Sequence, residues 1–359
     1  MRRLPSWVRA ATLATGALLA ACLPPAVSPS PTRFVASTPT TPPDVIATAT
    51  VRAKQAIKVG IFVDGTFGDG ALLDNALAAK TALEQHHQAQ VTTYEGAMRT
   101  DRFVEILGKA GAENDLVFVL GLHAVEATIA AAREHPSAHF VYIDAAVESP
   151  AVSSIVYRDQ EGCFLSGALA ALLTRDTTLP AINERKIVGF VGGVEEPTAR
   201  RCEAAYIQGA KEIDPEVTVL SAYVGSWSDP AGGRSATLRL RDAGADVVFV
   251  SAGPSGEGGV KAAGERGDFY VIGSVFGREE AIGNHVPASV LKNVSHTIVS
   301  VVRRFREGAF KRGTVESQGL AEGGLGIVYD PRIVVGEKRS RLVDLEQQVR
   351  RGEIKVTQR

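Results

Sequence analysis

Two aspartates stand where an open α/β sheet presents ligands. Asp64 ends the apolar run 58–64 (KVGIFVD), and Asp144 ends the run Tyr142-Ile143-Asp144. A single strand-end aspartate is ordinarily a turn former. Two at the carboxyl ends of strands in one sheet suggest acceptors for a ligand's donor groups, because such sheets bind in the crevice beyond those ends. The stretch Gly253-Pro-Ser-Gly256-Glu-Gly258-Gly259-Val-Lys261 also follows a strand-like run, and would bring bare backbone close to a ligand. It lacks the Gly-Lys-Ser/Thr ending of a P-loop, and Gly65, Gly68 and Gly70 lack G-x-G-x-x-G spacing, so nucleotide hydrolysis and a dinucleotide cofactor are poorly supported.

Other reactive side chains carry less. His135 and His139 are four apart, but Pro136 breaks any helix between them, and the adjacent His86 and His87 cannot share one helix face. Both pairs read as solvated histidines, not metal ligands. Cys163 and Cys202 lie on separate expected helices and read as small buried thiols, not a redox pair. No G-x-S-x-G elbow occurs. The expectation is a non-catalytic chain without metal or cofactor.

The elements that must position Asp64 and Asp144 alternate strand and helix twice over. After the strand 58–64 comes a helix in which Leu72, Leu73, Ala76, Leu77, Ala79, Ala82 and Leu83 approach a 3.6 period. Further strands are expected at 91–95, 116–121, 139–144 and 154–157, with helices from about Arg102 and Ala124. A second series follows the helix 161–173, with strands at 187–192, 218–223, 246–251 and 269–273. Continuous apolar strands alternating with helices specify parallel sheets covered on both faces. Two series in about 300 residues imply two doubly wound lobes. The segments after Gly273 complete both lobes, assigned as 57–158 plus about 275–313 for lobe 1 and 159–274 plus about 319–359 for lobe 2. Crossings are expected near Arg158, Ser274 and Gly313–Gly319.

The first 56 residues have another character. Arg2, Arg3 and Arg9 precede the apolar run 10–20, which has the form of an export signal over 1–21 and is too short to span a bilayer. Leu19-Ala20-Ala21-Cys22 resembles a bacterial lipobox, in which Cys22 is lipidated and becomes the mature N-terminus; the alternative is an ordinary cut after Ala21 that leaves Cys22 a spare thiol. Residues 22–56 are rich in Pro, Ser and Thr, and read as a semi-extended tether. Removing the signal takes the formal charge from −1 to −4, so no basic excess serves nucleic acid.

The order of these pieces resembles the basic membrane protein family, which includes purine nucleoside receptor A. The likeness runs through Ile57–Asp64, Tyr142–Asp144 and the stretch Tyr157-Arg-Asp-Gln-Glu-Gly-Cys-Phe-Leu-Ser-Gly-Ala-Leu-Ala-Ala171. It continues through Val188–Gly193 with Pro197 and Arg201, Tyr223–Pro230, Gly244–Phe249, Ser251–Gly253 and Ser289–Asn293. The resemblance implies a type I periplasmic-binding-protein fold of two doubly wound parallel-sheet lobes with an interlobe cleft. It implies a substrate-binding lipoprotein of an ABC importer, or alternatively a ligand sensor signalling to a membrane kinase or regulator. Asp64, Asp144 and Lys292 match family positions. Leu73 stands where a base-stacking Phe is expected, Asp74 for an Asn, Cys202 for an aromatic and Val275 for a ribose-binding Asp, while Tyr206 keeps an aromatic. Base stacking is worth about 1–3 kcal/mol, so these departures weaken nucleoside recognition without touching the scaffold.

The resulting expectation is a small polar ligand, nucleoside-like, held by Asp64, Asp144 and Lys292; the alternative is that Lys292 and an Asp form a structural pair that steadies the closed cleft. Asp74 stands at the cleft mouth, Trp227 forms an apolar wall and Gly253 offers backbone. The expected partners are that ligand, ABC permease subunits and the membrane, reached through the Cys22 lipid on the extracytoplasmic face. The chain is expected to be a monomer.

Overall fold

The computed structural model describes residues 56–68, 72–274 and 285–358; the export signal, Cys22, the tether and Val275 lie outside them. The first sheet has the order β2-β1-β3-β4-β5-β11, with β1 (Ile57–Val63), β2 (Ala89–Glu95), β3 (Leu116–Leu120), β4 (His139–Ile143), β5 (Val152–Tyr157) and β11 (Val315–Gln318). Every neighbouring pair in it is parallel. The central strand β3 is buried along its whole length, as its unbroken apolar run requires. Helices α1 (Leu72–His86), α2 (Phe103–Glu113) and α3 (Val125–Glu134) link these strands.

The second sheet has the order β7-β6-β8-β9-β10-β12, formed by β6 (Ile187–Gly192), β7 (Thr218–Tyr223), β8 (Val247–Ser251), β9 (Tyr270–Ser274), β10 (Ala288–Lys292) and β12 (Leu325–Tyr329). All pairs are parallel except β10–β12. Its helices are α4 (Asp159–Thr174), α5 (Pro197–Ile213), α6 (Pro230–Asp242), α7 (Gly256–Arg266) and α9 (Gly336–Arg350), whereas α8 (Val294–Arg306) packs on α1 of the first lobe.

Two expectations need correction. The segment 275–313 was assigned to lobe 1, yet its strand β10 lies in the second sheet. The free edge of β9 supplies partners for its backbone (Ser289 opposite Gly273, Val290 opposite Ser274), whereas in lobe 1 the edge beyond β5 is occupied by β11. The chain therefore crosses at Arg158, at Asn293 and between Gly319 and Gly324, and neither at Ser274 nor over 313–318, where β11 runs within the first sheet. The second correction concerns Cys163 and Cys202, which form a disulfide with Cα atoms 5.4 Å apart.

That bond is possible because α4 and α5 lie backbone to backbone. A Cβ at Gly167 would fall 1.9 Å from the Tyr206 carbonyl, and one at Gly209 would fall 1.9 Å from the Phe164 carbonyl. Only glycine admits such an approach. It explains why α4 is buried almost all round, between its sheet and α5.

The crossings are knotted by polar contacts. Arg158 bonds Glu161 at 2.5 Å and Glu322 at 2.5 Å, and donates to the Ser317 carbonyl at 3.0 Å. Glu161 in turn accepts from the Leu320 amide at 2.7 Å. Tyr157 donates to Thr297 at 3.0 Å, and Thr297 to Gln318 at 2.8 Å, while the Asn293 amide bonds the Gly324 carbonyl at 2.8 Å. Each chain passage thus touches the next.

Candidate functional site

In each lobe the strand order reverses next to the first strand of its series, and ligands of open α/β sheets lodge at such switch points. In lobe 1 this is the crevice between the ends of β1 and β3. Asp64, just past β1, is 7% exposed, and its Oδ2 accepts from the Leu122 amide at 2.9 Å and from His123 Nδ1 at 3.0 Å. Gly121, at φ +127°, makes room for it: a Cβ there would lie 2.0 Å from Asp64 Cγ. Asp64 therefore stands where the sequence put it, but it holds the β3–α3 turn and orients His123, whose side chain is half exposed. His123 was missed; the signal was its place after β3, opposite the Asp64 turn.

Around that crevice Asp74, on the first turn of α1, accepts from the Gly68 amide at 2.6 Å, and Glu95 accepts from the Phe67 amide at 2.7 Å. Leu73 is half-buried against the core, beside Gly65. Asp74 thus shapes the β1–α1 loop, and Leu73 packs behind it.

Asp144, Lys292 and Asp159 meet between the lobes. Asp144 follows β4 at φ +72°, a backbone region that few non-glycine residues enter. Its amide bonds the Ile155 carbonyl at 2.7 Å, which helps hold that conformation. Lys292, the last residue of β10, reaches across from lobe 2 and places Nζ 2.9 and 2.8 Å from the two Asp144 oxygens. It also lies 3.0 Å from Asp159, the first residue of α4. Burial opposes the Lys292 charge, but the two carboxylates more than offset it and raise the ammonium's pKa. Burial pushes the Asp159 carboxyl up, Lys292 and Arg201 pull it back, and Asp144 adds repulsion. Asp159 was not singled out in the sequence, although it follows Arg158 directly at the first crossing.

The lobe 2 switch point, between β6 and β8, is filled differently. The half-buried Trp227 ring covers Gly193, where a Cβ would lie 2.3 Å from the indole. Its carbonyl accepts from the Ser255 amide at 3.0 Å, and Ser255 Oγ bonds the Asp229 amide at 2.8 Å. Gly253 takes φ +55° at the turn beside the indole. Trp227 and Gly253 thus occupy the ligand end of the sheet together.

Two expected site residues are elsewhere. Cys202 is 3% exposed and bonded to Cys163. Tyr206 is fully buried, stacked on Phe249 at 5.5 Å between ring centroids, and burial raises its phenol well above the usual pKa. Both face the α4–sheet interior, because the near-contact of α4 and α5 turns that side of α5 inward.

Concavities of about 680 and 400 Å³ lie on lobe 2 away from these residues. The larger is lined by Arg175, Lys338 and Arg341, all already ion-paired, and offers no convergent free group.

Comparison with known proteins agrees with this architecture. The family model described as Bmp, ABC transporter substrate-binding protein PnrA-like, matches residues 56–359. Basic membrane protein A of Borreliella afzelii is 25% identical over 306 residues, covering 83% of this chain and 91% of that protein. The ABC transporter nucleoside-binding protein BmpA of Lactococcus lactis subsp. cremoris is 29% identical over 233 residues, covering 60% and 64%. Among solved structures, an ABC transporter solute-binding protein from Conexibacter woesei superposes with a TM-score of 0.70 at 22% identity, covering 84% of this chain and 99% of that one. Among the described residues, no helix is long and apolar enough to cross a membrane.

Proposed function

Because the chain belongs to the Bmp family of PnrA-like ABC transporter substrate-binding proteins, we propose that it is a lipid-anchored receptor that captures a small polar, nucleoside-like ligand between its lobes and hands it to a membrane permease. One observation carries this reading. Asp144 of lobe 1 and Lys292 of lobe 2 form a half-buried ion pair beside the crossings, where a bound molecule can touch both lobes at once. Carboxylates with acceptor capacity left over take a ligand's hydroxyl or amino hydrogens. Trp227 offers a flat apolar surface from lobe 2, and His123, steadied by Asp64, offers an imidazole from lobe 1.

Lobes joined by short crossings close around a molecule that contacts both. Among the described residues, neither switch point brings together a nucleophile and a base, which favours binding over turnover. The lipobox-like Leu19–Cys22 and the tether after it suit a receptor held beside a permease, and stable anchoring requires more than one acyl chain. Trp227 is the single tryptophan after Trp7, so its emission reports events at the cleft of the mature chain.

The test is calorimetry and Trp227 fluorescence on residues 22–359 with nucleosides, sugars and amino acids. Saturable one-to-one binding of a nucleoside, unchanged chemically on recovery, is the expected result. Binding confined to sugars or amino acids overturns the nucleoside assignment, and turnover of the ligand overturns the receptor assignment.

A further inference from the structure

At the lobe 1 switch point an imidazole stands between a buried carboxylate and solvent. The Asp64 side chain is 11% exposed, whereas that of His123 is 51% exposed. Asp64 Oδ2 accepts from the Leu122 amide at 2.9 Å, the His123 amide at 3.4 Å and His123 Nδ1 at 3.0 Å. The turn that carries the ring is fixed by further bonds. Tyr142 donates to the Gly121 carbonyl at 2.6 Å, and the Asp64 amide donates to the Leu120 carbonyl at 3.0 Å. His123 is therefore a placed group on a rigid turn, at the strand ends where open α/β sheets bind ligands.

The carboxylate also decides which ring nitrogen is free. An ionised carboxylate only accepts, so Nδ1 carries the hydrogen and the neutral ring keeps its lone pair on Nε2. The two nitrogens diverge across the ring, so Nε2 faces away from Asp64. Among the described residues, the His123 side chain has no other hydrogen-bond partner. The strand end that the sequence marks as a charged two-oxygen acceptor thus presents one neutral lone pair instead.

We propose that His123 Nε2 is the acceptor through which lobe 1 reads the ligand, selecting a nucleobase edge that bears a lactam N–H. The proposal rests on the reading of the cleft as the site of a nucleoside-like ligand. Closing the lobes strips water from Nε2, and only a donor on the ligand replaces that hydrogen bond. A single in-plane lone pair matches a single in-plane N–H, while the flat face of the same base can lie against Trp227. Protonation reverses the contact, because an imidazolium donates from both nitrogens and would meet the ligand donor to donor. The other ionisable groups of this crevice are Tyr142, Glu126 on the first turn of α3, and Asp74 and Glu95. Burial raises the Tyr142 phenol to about 12, so it stays neutral, and both Asp74 and Glu95 accept from backbone amides of the β1–α1 loop. Affinity therefore falls as the His123 ring takes up a proton.

The experiment titrates residues 22–359 with inosine and with 1-methylinosine, which lacks the lactam hydrogen, at pH 7.5 and pH 5.0. It uses the wild type, His123→Phe and His123→Gln. The expected result is a preference of about tenfold or more for inosine at pH 7.5, shrinking at pH 5.0. In His123→Phe the preference and its pH dependence both vanish; in His123→Gln, whose side-chain carbonyl still accepts, part of the preference survives without the pH dependence. Nitrogen-15 NMR of the labelled chain, with the His123 signals identified by their loss in His123→Phe, should show hydrogen on Nδ1 and none on Nε2. Equal binding of the two probes, a preference that His123→Phe keeps or that pH leaves unmoved, or hydrogen on Nε2 overturns the role of His123 while the receptor reading stands. Failure of inosine to bind the wild type overturns the nucleoside reading and this contact together.

Discussion

The two lobes share one topology and fill its switch point in opposite ways. In lobe 1 the crevice between β1 and β3 is closed by a charged hydrogen-bonded turn, Asp64 with Leu122 and His123. In lobe 2 the crevice between β6 and β8 is covered by an indole lying on Gly193. Strand order fixes where a ligand can meet the sheet, and the side chain after each strand decides what it meets. A molecule gripped by both lobes would have a polar edge toward lobe 1 and a flat face toward lobe 2. Between them stands Lys292, contributed by lobe 2 and bonded to lobe 1.

Breaking that link gives the largest expected effect. Lys292→Met leaves Asp144 and Asp159 without their cation, and loss of one partner from a buried pair costs about 3–5 kcal/mol. The two carboxylates keep 26% and 29% of their side-chain exposure, which places the loss at the lower end of that range. Urea denaturation at pH 7 should show it, together with loss of ligand binding.

The disulfide tests the lobes against each other, because it lies wholly in lobe 2. Its partners are 39 residues apart, and a loop of that size corresponds to about 3–4 kcal/mol of chain entropy. The double variant Cys163→Ala/Cys202→Ala should lower stability by that order, with amide exchange rising in α4 and α5 before β1–β4. Equal loosening of both lobes would show that they unfold as one unit.

A third contrast concerns buried carboxyls. Asp64 has imidazole and amide partners, whereas Asp246, at the opposite end of lobe 2, is 1% exposed and has no cation beside it among the described residues. Burial raises its pKa to about 6, with Thr174 and the Asn183 amide pulling the other way. The folded-state value lies above the unfolded one, so between the two the native state holds the extra proton and stability falls as pH rises. Relative to Asp246→Asn, the wild type should lose about 2–3 kcal/mol between pH 4 and pH 7, with no further change above pH 7.

The smallest effects come from glycines at the two switch points. Gly121→Ala forces a left-handed residue and drives a methyl into Asp64, which should cost about 1–3 kcal/mol. At Gly193 the methyl overlaps the Trp227 indole but needs no left-handed backbone, so Gly193→Ala should cost about 1 kcal/mol, the low end of overpacking, while altering Trp227 emission.

These contrasts also mark what the sequence made legible. The βα alternation and two lobes were readable because a strand buried on both faces must be apolar, as β3 is throughout and β8 is up to its last residue, Ser251. The lobe of β10 was not, since ASVLK carries nothing that says which sheet edge is free. The positions of Asp64 and Asp144 followed from strand ends, but their partners His123 and Lys292 lie 59 and 148 residues away, a distance no local pattern spans. Cys163 and Cys202 were misread by judging each helix alone. The reading of 1–21 as an export signal would have pointed the other way, since the two cysteines left after Cys22 make a pair that an oxidising compartment would join.

The central claim is that a ligand is held between the lobes through Lys292. Native mass spectrometry of the mature protein, purified from its own host, tests it most directly. The account predicts one small molecule per wild-type chain, released intact on denaturation and missing from Lys292→Met. A wild-type chain that carries nothing and binds nothing added back, or a ligand retained equally by folded Lys292→Met, would contradict it.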